Sequence, residues 1–553
     1  MKLRFVGVLL VATSQGALAQ STLAGGQLQQ IPPAPVAPRV EPAITLAAPP
    51  VAPDTGPVGA SITVAALRIT GQTRYSEKAL IAVAGFTPGS QLTLAQLRAI
   101  AGKITAFYND HGYFLAKAYL PAQDITGGQV QLAVIEGQYG KIALENHTNL
   151  APSVAHRILN GLDEGDIVRS ARLERRLLLL SDVPGVRVKS TLSPGAAVGT
   201  SDLLVDLTSA PRITGSVEAD NAGNRYTGAY RFGGSLNLNN PTGLGDMVSL
   251  RVLASTGGLA YGRAAYQVPL GNLTLGASYS HIRYELGKEF KSLNADGTAD
   301  IASLYASYPL IRSRDANLYL LAGFDAKKFR DRVRLTNSQS DRKSRVLTGG
   351  FTMDSRDRFG GGGSNSASLI YSHGTLDIET PLDRALDATT ARTQGKFNKL
   401  AFSAARLQSI AGPLSLYGTV RGQFAFDNLD SSEKMELGGA YGVRAYPEGE
   451  SYGDQGYVAT AEARLGLSQW LRSVPGQFTA IGFVDVGEVQ YAKNPWFTGP
   501  NTSHRSGIGG GLTWAGPERI FITASYAHKL GGQRATSAPD RPGRAWVQLV
   551  KQF

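Results

Sequence analysis

Ile213-Thr214-Gly215-Ser216-Val217-Glu218-Ala219-Asp220 sets small or apolar residues at every odd position and polar ones at every even position. That is the period of a strand with one face in water and one face out of it. The pattern extends in both directions. Tyr230, Phe232, Leu236 and Leu238 alternate with Arg231, Ser235 and Asn237, and Ile520, Ile522, Ala524 and Tyr526 alternate with Thr523 and Ser525. Clusters of Gly, Asn, Asp and Ser separate such segments, as turns require. A strand that spans lipid is apolar outside and free to be polar inside. Hydrocarbon tolerates no unpaired backbone edge, so the sheet must close. Residues 212–553 have room for 16 antiparallel strands at about 21 residues per strand and loop. A soluble sandwich or propeller also alternates, but it explains neither an export signal nor Tyr and Phe gathered near segment ends, and no blade-like repeat is visible. The expected fold is a transmembrane β-barrel of 16 antiparallel strands.

The last residues agree. In Trp546 to Phe553 (WVQLVKQF), Val547, Leu549 and Phe553 share one face and Gln548, Val550 and Gln552 the other. An amphipathic strand ending on an aromatic residue is what barrel-assembly machinery can bind as an edge. Phe553, Leu549 and Trp546 are therefore the expected assembly signal.

Composition narrows the rest. The 553 residues include 65 Gly and no Cys, and 18% are charged. Glycine, at about 12%, exceeds the ~7% average and charge falls below the ~25% average. Without cysteine there is no disulfide, thiolate metal site or thiol nucleophile. After the first twenty residues no apolar run approaches the ~18 needed for a membrane helix. The net charge of +12 comes from bases interspersed with acids, which is not the footprint of a nucleic-acid surface. The seven histidines are scattered without an HExxH pattern, Gly360–Gly363 lacks a following Lys-Ser/Thr, and there is no GxSxG. No enzyme activity, cofactor or metal is expected.

At the N-terminus, Lys2 and Arg4, the apolar Phe5–Ala12 and then Ala17-Leu18-Ala19 have the order of a signal peptide ending at residue 19. Residues 20–57 are proline-rich and read as an extended linker, with a short helix conceivable over Leu23–Gln30 despite its meagre apolar face. Residues 58–138 then read β-α-α-β-β: a strand over Ser61–Thr70, helices over Ser76–Ala84 (Ser76 as N-cap) and Thr93–Asp110, and strands over Phe114–Leu120 and Gln129–Glu136. The order repeats in residues 139–211. The second helix there, Ile167–Ser181, carries Arg169, Arg172, Arg175 and Arg176 away from its leucine face, and solvated arginines are favoured over a docking surface.

Several motifs resemble one family. Tyr108–Gly137 (YNDHGYFLAKAYLPAQDITGGQVQLAVIEG) is similar to the first periplasmic domain of the two-partner secretion (type Vb) transporters, the haemolysin and filamentous-haemagglutinin secretors. Asn239–Asp246 (NNPTGLGD) resembles their first hairpin turn and Tyr308–Arg314 (YPLIRSR) a mid-barrel stretch. Leu437–Glu450 (LGGAYGVRAYPEGE) resembles their long-loop motif, with Ala445 where the family often has Gly, and Gly482–Gly487 (GFVDVG) its counterpart on a late strand. The resemblance implies two polypeptide-transport-associated (POTRA) domains, 58–138 and 139–211, before a barrel at 212–553 in the Gram-negative outer membrane. It implies a loop near 428–456 that folds inward, and secretion without ATP of an unfolded partner, a large β-helical exoprotein such as a haemolysin or adhesin. Outer-membrane lipid, barrel-assembly machinery and periplasmic chaperones are the other expected partners. The family commonly has an N-terminal helix that plugs the barrel, and here only residues 21–30 are placed to supply it. A barrel-assembly insertase of the same superfamily and a diffusion porin are the alternatives.

Period-two arithmetic tests the loop motif. Asp485 falls opposite Phe478, Ala480, Val484 and Val486, hence on the luminal side with Phe483, and Glu462 and Arg464 are luminal on the strand before. With the loop folded inward, as the resemblance implies, Arg444 is expected to meet Asp485 in a bidentate pair that fixes the loop to the wall; an extracellular Arg444 and an ordinary wetted Asp485 are the alternative. Gly438, Gly439, Val443, Tyr446 and Glu448 complete the loop motif.

Overall fold

The computed structural model describes residues 23–32, 43–46 and 61–553. The signal peptide and most of the expected linker lie outside the described residues.

Two small modules precede the barrel. In the first, Ala66–Thr70 runs parallel to Gln129–Ile135, which pairs antiparallel with Lys117–Tyr119. Helices Glu77–Ala84 and Leu94–Asp110 pack on this sheet through Leu80, Leu97, Ile100 and Ile104. Both helices start on caps that satisfy their free N–H groups: Ser76 Oγ accepts from Ala79, and Thr93 forms a capping box with Gln96. The expected single strand over Ser61–Thr70 is two. Gly128 O accepts from both Ala65 and Ala66, and that breaks the ladder, so Ser61–Val64 pairs instead with Ser90–Thr93. The expected strand over Phe114–Leu120 shrinks to Lys117–Tyr119 because Ala116 closes a turn on Tyr113.

The second module has the sheet order 43–46, 186–194, 200–209, 138–147, backed by helices Pro152–Leu159 and Ser170–Ser181. Its first strand corrects the reading of residues 20–57 as linker throughout: Ala43–Leu46 lies parallel to Lys189–Leu192 at the sheet edge. A strand edge with free donors and acceptors is a template for any extended segment within reach.

Sixteen antiparallel strands then close into a barrel. The first, Ile213–Asp220, bonds the second, Arg231–Asn239, on one side and the last, Gly543–Gln552, on the other. Val217, Phe232, Leu250 and Leu304 stand outward, where lipid covers them. The periodicity extends far past the apolar band on the seventh and eighth strands, Ala316–Val333 and Ser338–Asp357. Charged residues are partly internal and paired: Arg231 with Asp220, Arg251 with Glu218 and Lys327 with Glu433, all buried toward the lumen.

The arginine-bearing helix of the second module docks on the barrel through one of its four arginines, Arg175, which corrects the expectation of solvated arginines for that residue, while Arg169 and Arg172 stay exposed and Arg176 bonds Ile158 O within the module. Arg175 donates to the carbonyls of Pro309 and Leu310 at 2.8 and 3.2 Å, Glu174 accepts from the Arg314 amide at 2.6 Å, and Arg312 forks onto Asp182 with two 2.8 Å bonds. The hairpin turn at Asn240–Asp246 contacts the same module through Asn149, whose amide exchanges hydrogen bonds of 2.7 and 2.9 Å with Asn240. The carbonyls of Pro309 and Leu310, at the bulge near the end of the sixth strand, need donors, and Arg175 supplies them. These contacts mark the periplasmic end.

Candidate functional site

The segment between the eleventh strand, Leu414–Ala425, and the twelfth, Gln455–Gly466, starts at the opposite, extracellular end. It does not stay there. Residues 430–440 and 442–454 are almost all buried, closed at the neck by a short ladder pairing Met435 with Gly453 and Glu436 with Tyr452. Leu437, Val443, Ala445 and Tyr446 form an apolar core with Val458, Phe483 and Val489 of the wall, and polar anchors add to it. Glu433 takes Lys327 at 2.7 Å and Lys399 at 2.9 Å, Asp430 pairs with Arg342, and Lys434 reaches Asp454 at 2.7 Å.

At the loop tip Arg444 lies on the wall. Its Nε and one terminal nitrogen fork onto Asp485 at 2.8 and 2.7 Å, and its backbone N–H adds a third bond at 3.1 Å. The other terminal nitrogen reaches Glu462 Oε1 at 2.9 Å, and the guanidinium plane sits 3.3 Å from the centre of the Phe483 ring. Thr460 donates to Asp485 at 2.8 Å. Arg464 does not reach the loop; it holds the second oxygen of Glu462 at 2.7 Å and stacks over Tyr417. With Asp485 fully buried and Arg444 nearly so, removing either partner strands a charge, at a cost of about 3–5 kcal/mol.

The other motif residues shape the tip. Gly439 has φ +92° and a Cβ there would fall 2.0 Å from Glu448 Oε2, so only glycine lets the chain turn against that carboxylate. Glu448 accepts from the Ala440 amide, Gly438 donates to Glu450 O and Val443 to Leu437 O. Tyr446 is buried beneath Arg505 and Lys529 and donates to Gln533 O at 3.2 Å. Trp546 is corrected from the expected assembly signal: it points inward and donates to Arg444 O at 2.7 Å, while Leu549 and Phe553 stay on the outer face. The parity of 546 with the luminal 548 and 550 carried that information.

Two parts of the site lie outside the loop motif, the first not legible in the residues and the second expected there only as a short helix within residues 21–30. Glu450 takes Arg505 at 2.7 Å and the amides of Thr536 and Ser537, which ties the loop to the 530–542 connection. The other part is the helix Ala24–Gln29, which sits inside the barrel. Ala24 N donates to Asp331 at 2.8 Å, Gln30 to Tyr452 OH at 2.6 Å, Gln29 to Ser432 O at 2.5 Å, and Arg231 to Gln30 O at 2.8 Å. Its small apolar side, Ala24 and Leu28, packs on a luminal cluster that includes Ile282, Tyr284 and Phe329, and Gly25 lets its backbone approach Ser432, where a Cβ would meet the amide nitrogen at 2.6 Å.

Modules docked under a closed barrel, with a loop and a helix both folded into its lumen, define a transporter architecture, and similarity to known proteins agrees. Residues 199–513 match the haemolysin secretion/activation proteins ShlB/FhaC/HecB, and residues 62–137 match the ShlB-type POTRA domain. The chain belongs to the haemolysin secretion/activation family. Among its relatives is the heme/hemopexin transporter protein HuxB of Haemophilus influenzae, 29% identical over 84% of this chain and 82% of that one. The outer membrane transporter CdiB of Dickeya dadantii is 27% identical over 72% and 70%. The solved structure of CdiB from Escherichia coli superposes with a TM-score of 0.71 at 20% identity, covering 92% of this chain and 93% of that one. This family member is thus a two-partner secretion transporter of the outer membrane with its modules in the periplasm, and it secretes an exoprotein through the barrel.

Proposed function

We propose that the Arg444–Asp485 contact locks the inward loop, and that this lock holds the transporter in the conformation from which secretion begins. The observation that carries the reading is the fork itself: Asp485 receives the guanidinium, the Arg444 amide and Thr460 at once. Four donors on one buried carboxylate define a single loop position. Exchanging Arg444 for Ala leaves barrel assembly intact and sharply reduces secretion; unchanged secretion at normal membrane levels of the variant overturns the reading.

The cargo side of the proposal is a large exoprotein presented unfolded, in keeping with relatives named for transport of heme/hemopexin and hemolysin. Cargo segments add as strands to module edges, where main-chain bonds give affinity and alternate side-chain pockets give selection. Ala43–Leu46 already lies along one such edge in this chain, which supports the competence of that edge for strand addition. Site-specific crosslinkers across residues 61–209 trap cargo during secretion; a search that never finds cargo there counts against strand capture. Folding of the cargo outside supplies the outward bias, and neither the modules nor the loop is assigned a chemical step.

A further inference from the structure

The outer wall of the barrel carries a charged feature that transport through the lumen does not use. On the seventh strand Leu320, Ala322, Phe324 and Ala326 face outward, and Lys328 follows toward the extracellular end. On the eighth strand Phe351 and Leu347 face outward and Arg345 and Lys343 follow. Register aligns the change: Phe324 opposes Leu347, Ala326 opposes Arg345, and Lys328 opposes Lys343. Apolar wall therefore gives way to cations on both strands at one level, where hydrocarbon meets head groups.

Lys328 and Lys343 form a like-charged pair directly across two strands, with Arg345 diagonal to Lys328. Such a pair destabilises a sheet unless an anion sits against it; Glu379 already meets Lys343, whereas no ion pair to Lys328 or Arg345 is present among the described residues. Nearby acids are largely engaged. Asp300, opposite Lys328, accepts from Tyr279 OH at 2.5 Å and from His281 at 2.7 Å. Asp377, opposite Lys343, reaches Arg384 at 3.4 Å, and Glu379 takes Lys343 itself at 2.5 Å. Arg345 faces uncharged neighbours, Ala326 and Thr375, and beyond Thr375 stands Lys396. Lys328, Arg345 and Lys396 are all exposed. Among the described residues Arg283, opposite Ala260, is a further outward cation at this end, and Arg330, paired with Asp341, and Arg332 continue the series beyond Lys328. Ala219, Ala254 and Tyr457 occupy outward rim positions on the first, third and twelfth strands. The outward strand cations at this end thus run from the fifth strand to the tenth, on one side of the barrel.

We infer that this patch binds the phosphate groups of the phosphorylated glycolipid of the outer leaflet. The Arg345 guanidinium offers a phosphate two parallel N–H donors, and Lys328 and Lys343 add point charges. Acyl chains of the same molecule lie along Phe324, Leu347 and Phe351 directly below. Soluble phosphate has no use for that apolar wall, and this commits the site to a lipid.

Purified full-length protein in detergent tests the inference with labelled bisphosphorylated lipid A as probe. The triple variant Lys328→Gln/Lys343→Gln/Arg345→Gln binds at least about tenfold more weakly, each cation near a membrane surface being worth roughly fivefold. Arg406→Gln, an outward cation at the periplasmic end paired with Asp357, leaves binding unchanged. Lipid A stripped of its phosphates binds the parent chain at least about tenfold more weakly than intact lipid A does. This comparison needs no mutant and decides the matter even where the triple variant fails the heat-modifiable gel-shift test of folding. Equal binding of both forms of lipid A, equal loss in Arg406→Gln, or full displacement by inorganic phosphate or by phosphatidylglycerol micelles overturns the inference.

Discussion

Arg444 and Glu136 show what a charged side chain does when its surroundings answer every hydrogen-bonding group. Arg444 is met by two carboxylates and the face of Phe483, so Arg444→Lys, which keeps the charge but not the fork, should fall between the wild type and Arg444→Ala in a secretion assay. Glu136, in the first module, accepts from the amides of Thr73 and Arg74, the Thr73 hydroxyl and Tyr108 OH at 2.5 to 2.9 Å. Burial alone would raise its pKa, but these four donors outweigh burial and hold it below the ordinary 4.5. A lowered carboxyl stabilises the fold above that ordinary value, and the contribution drains away as pH falls through and below it. Glu136→Gln should cost the first module about 2 kcal/mol near neutral pH and markedly less near pH ~3, as measured by denaturant unfolding followed at both values. Alternation placed Asp485 and Glu462 on the luminal side of their strands, and the resemblance singled out Arg444. Alternation also put Thr460 and Trp546 on the luminal side, but it did not show their bonds to Asp485 and Arg444, because a hydroxyl or indole gains its role only from the atom opposite.

Between elements, fit is decided by single methyl groups. Ala445 occupies the place of a family glycine, and its Cβ lies 2.5 Å from where a Cβ on Gly507 would be. Loop and wall share room for one methyl group. Gly507→Ala should therefore displace the loop tip and reduce secretion, at a packing cost of roughly 1–3 kcal/mol. Adding Ala445→Gly should restore both, and protease accessibility of residues 437–450 in intact cells reads the displacement. Failure of the double variant to recover would show that the methyl–methyl conflict is not what positions the tip. The helix at 24–29 belongs at this scale too. Read as an isolated segment, AGGQLQ has too little apolar surface and too much glycine to form a stable helix. In the lumen its polar side chains are answered by Ser432, Thr227 and Tyr452, which is why sequence alone left it undecided.

Across the whole molecule, the second module is coupled to the barrel by the Asp182–Arg312 fork, the Glu174–Arg314 bond and the Asn149–Asn240 exchange. These contacts are polar, and the arginine fork is partly exposed at Asp182. Asp182→Ala combined with Glu174→Ala should loosen the module without unfolding either part. Because the chain has no cysteine, spin labels placed on the module and on a barrel turn can be introduced cleanly, and the expected outcome is a broadened distance distribution with barrel mobility on gels unchanged. A distribution as narrow as that of the parent would mean that the turn at Asn240–Asp246 and the Arg175 bonds to Pro309 and Leu310 suffice.

The sequence by itself determined the barrel, its strand number and the two α/β modules, because alternation, turn chemistry and helix caps are local and every residue carries its share of the signal. Tertiary structure alone decided which polar groups meet. Arg175 finds the carbonyls of Pro309 and Leu310, Glu433 finds two lysines, and a glycine-rich hexapeptide finds a lumen in which to be a helix. These partners lie a hundred or more residues away, with a few exceptions, and no periodicity records them. Hydrophobic pattern says which face is buried; only closure of the barrel says what that face, when polar, is buried against.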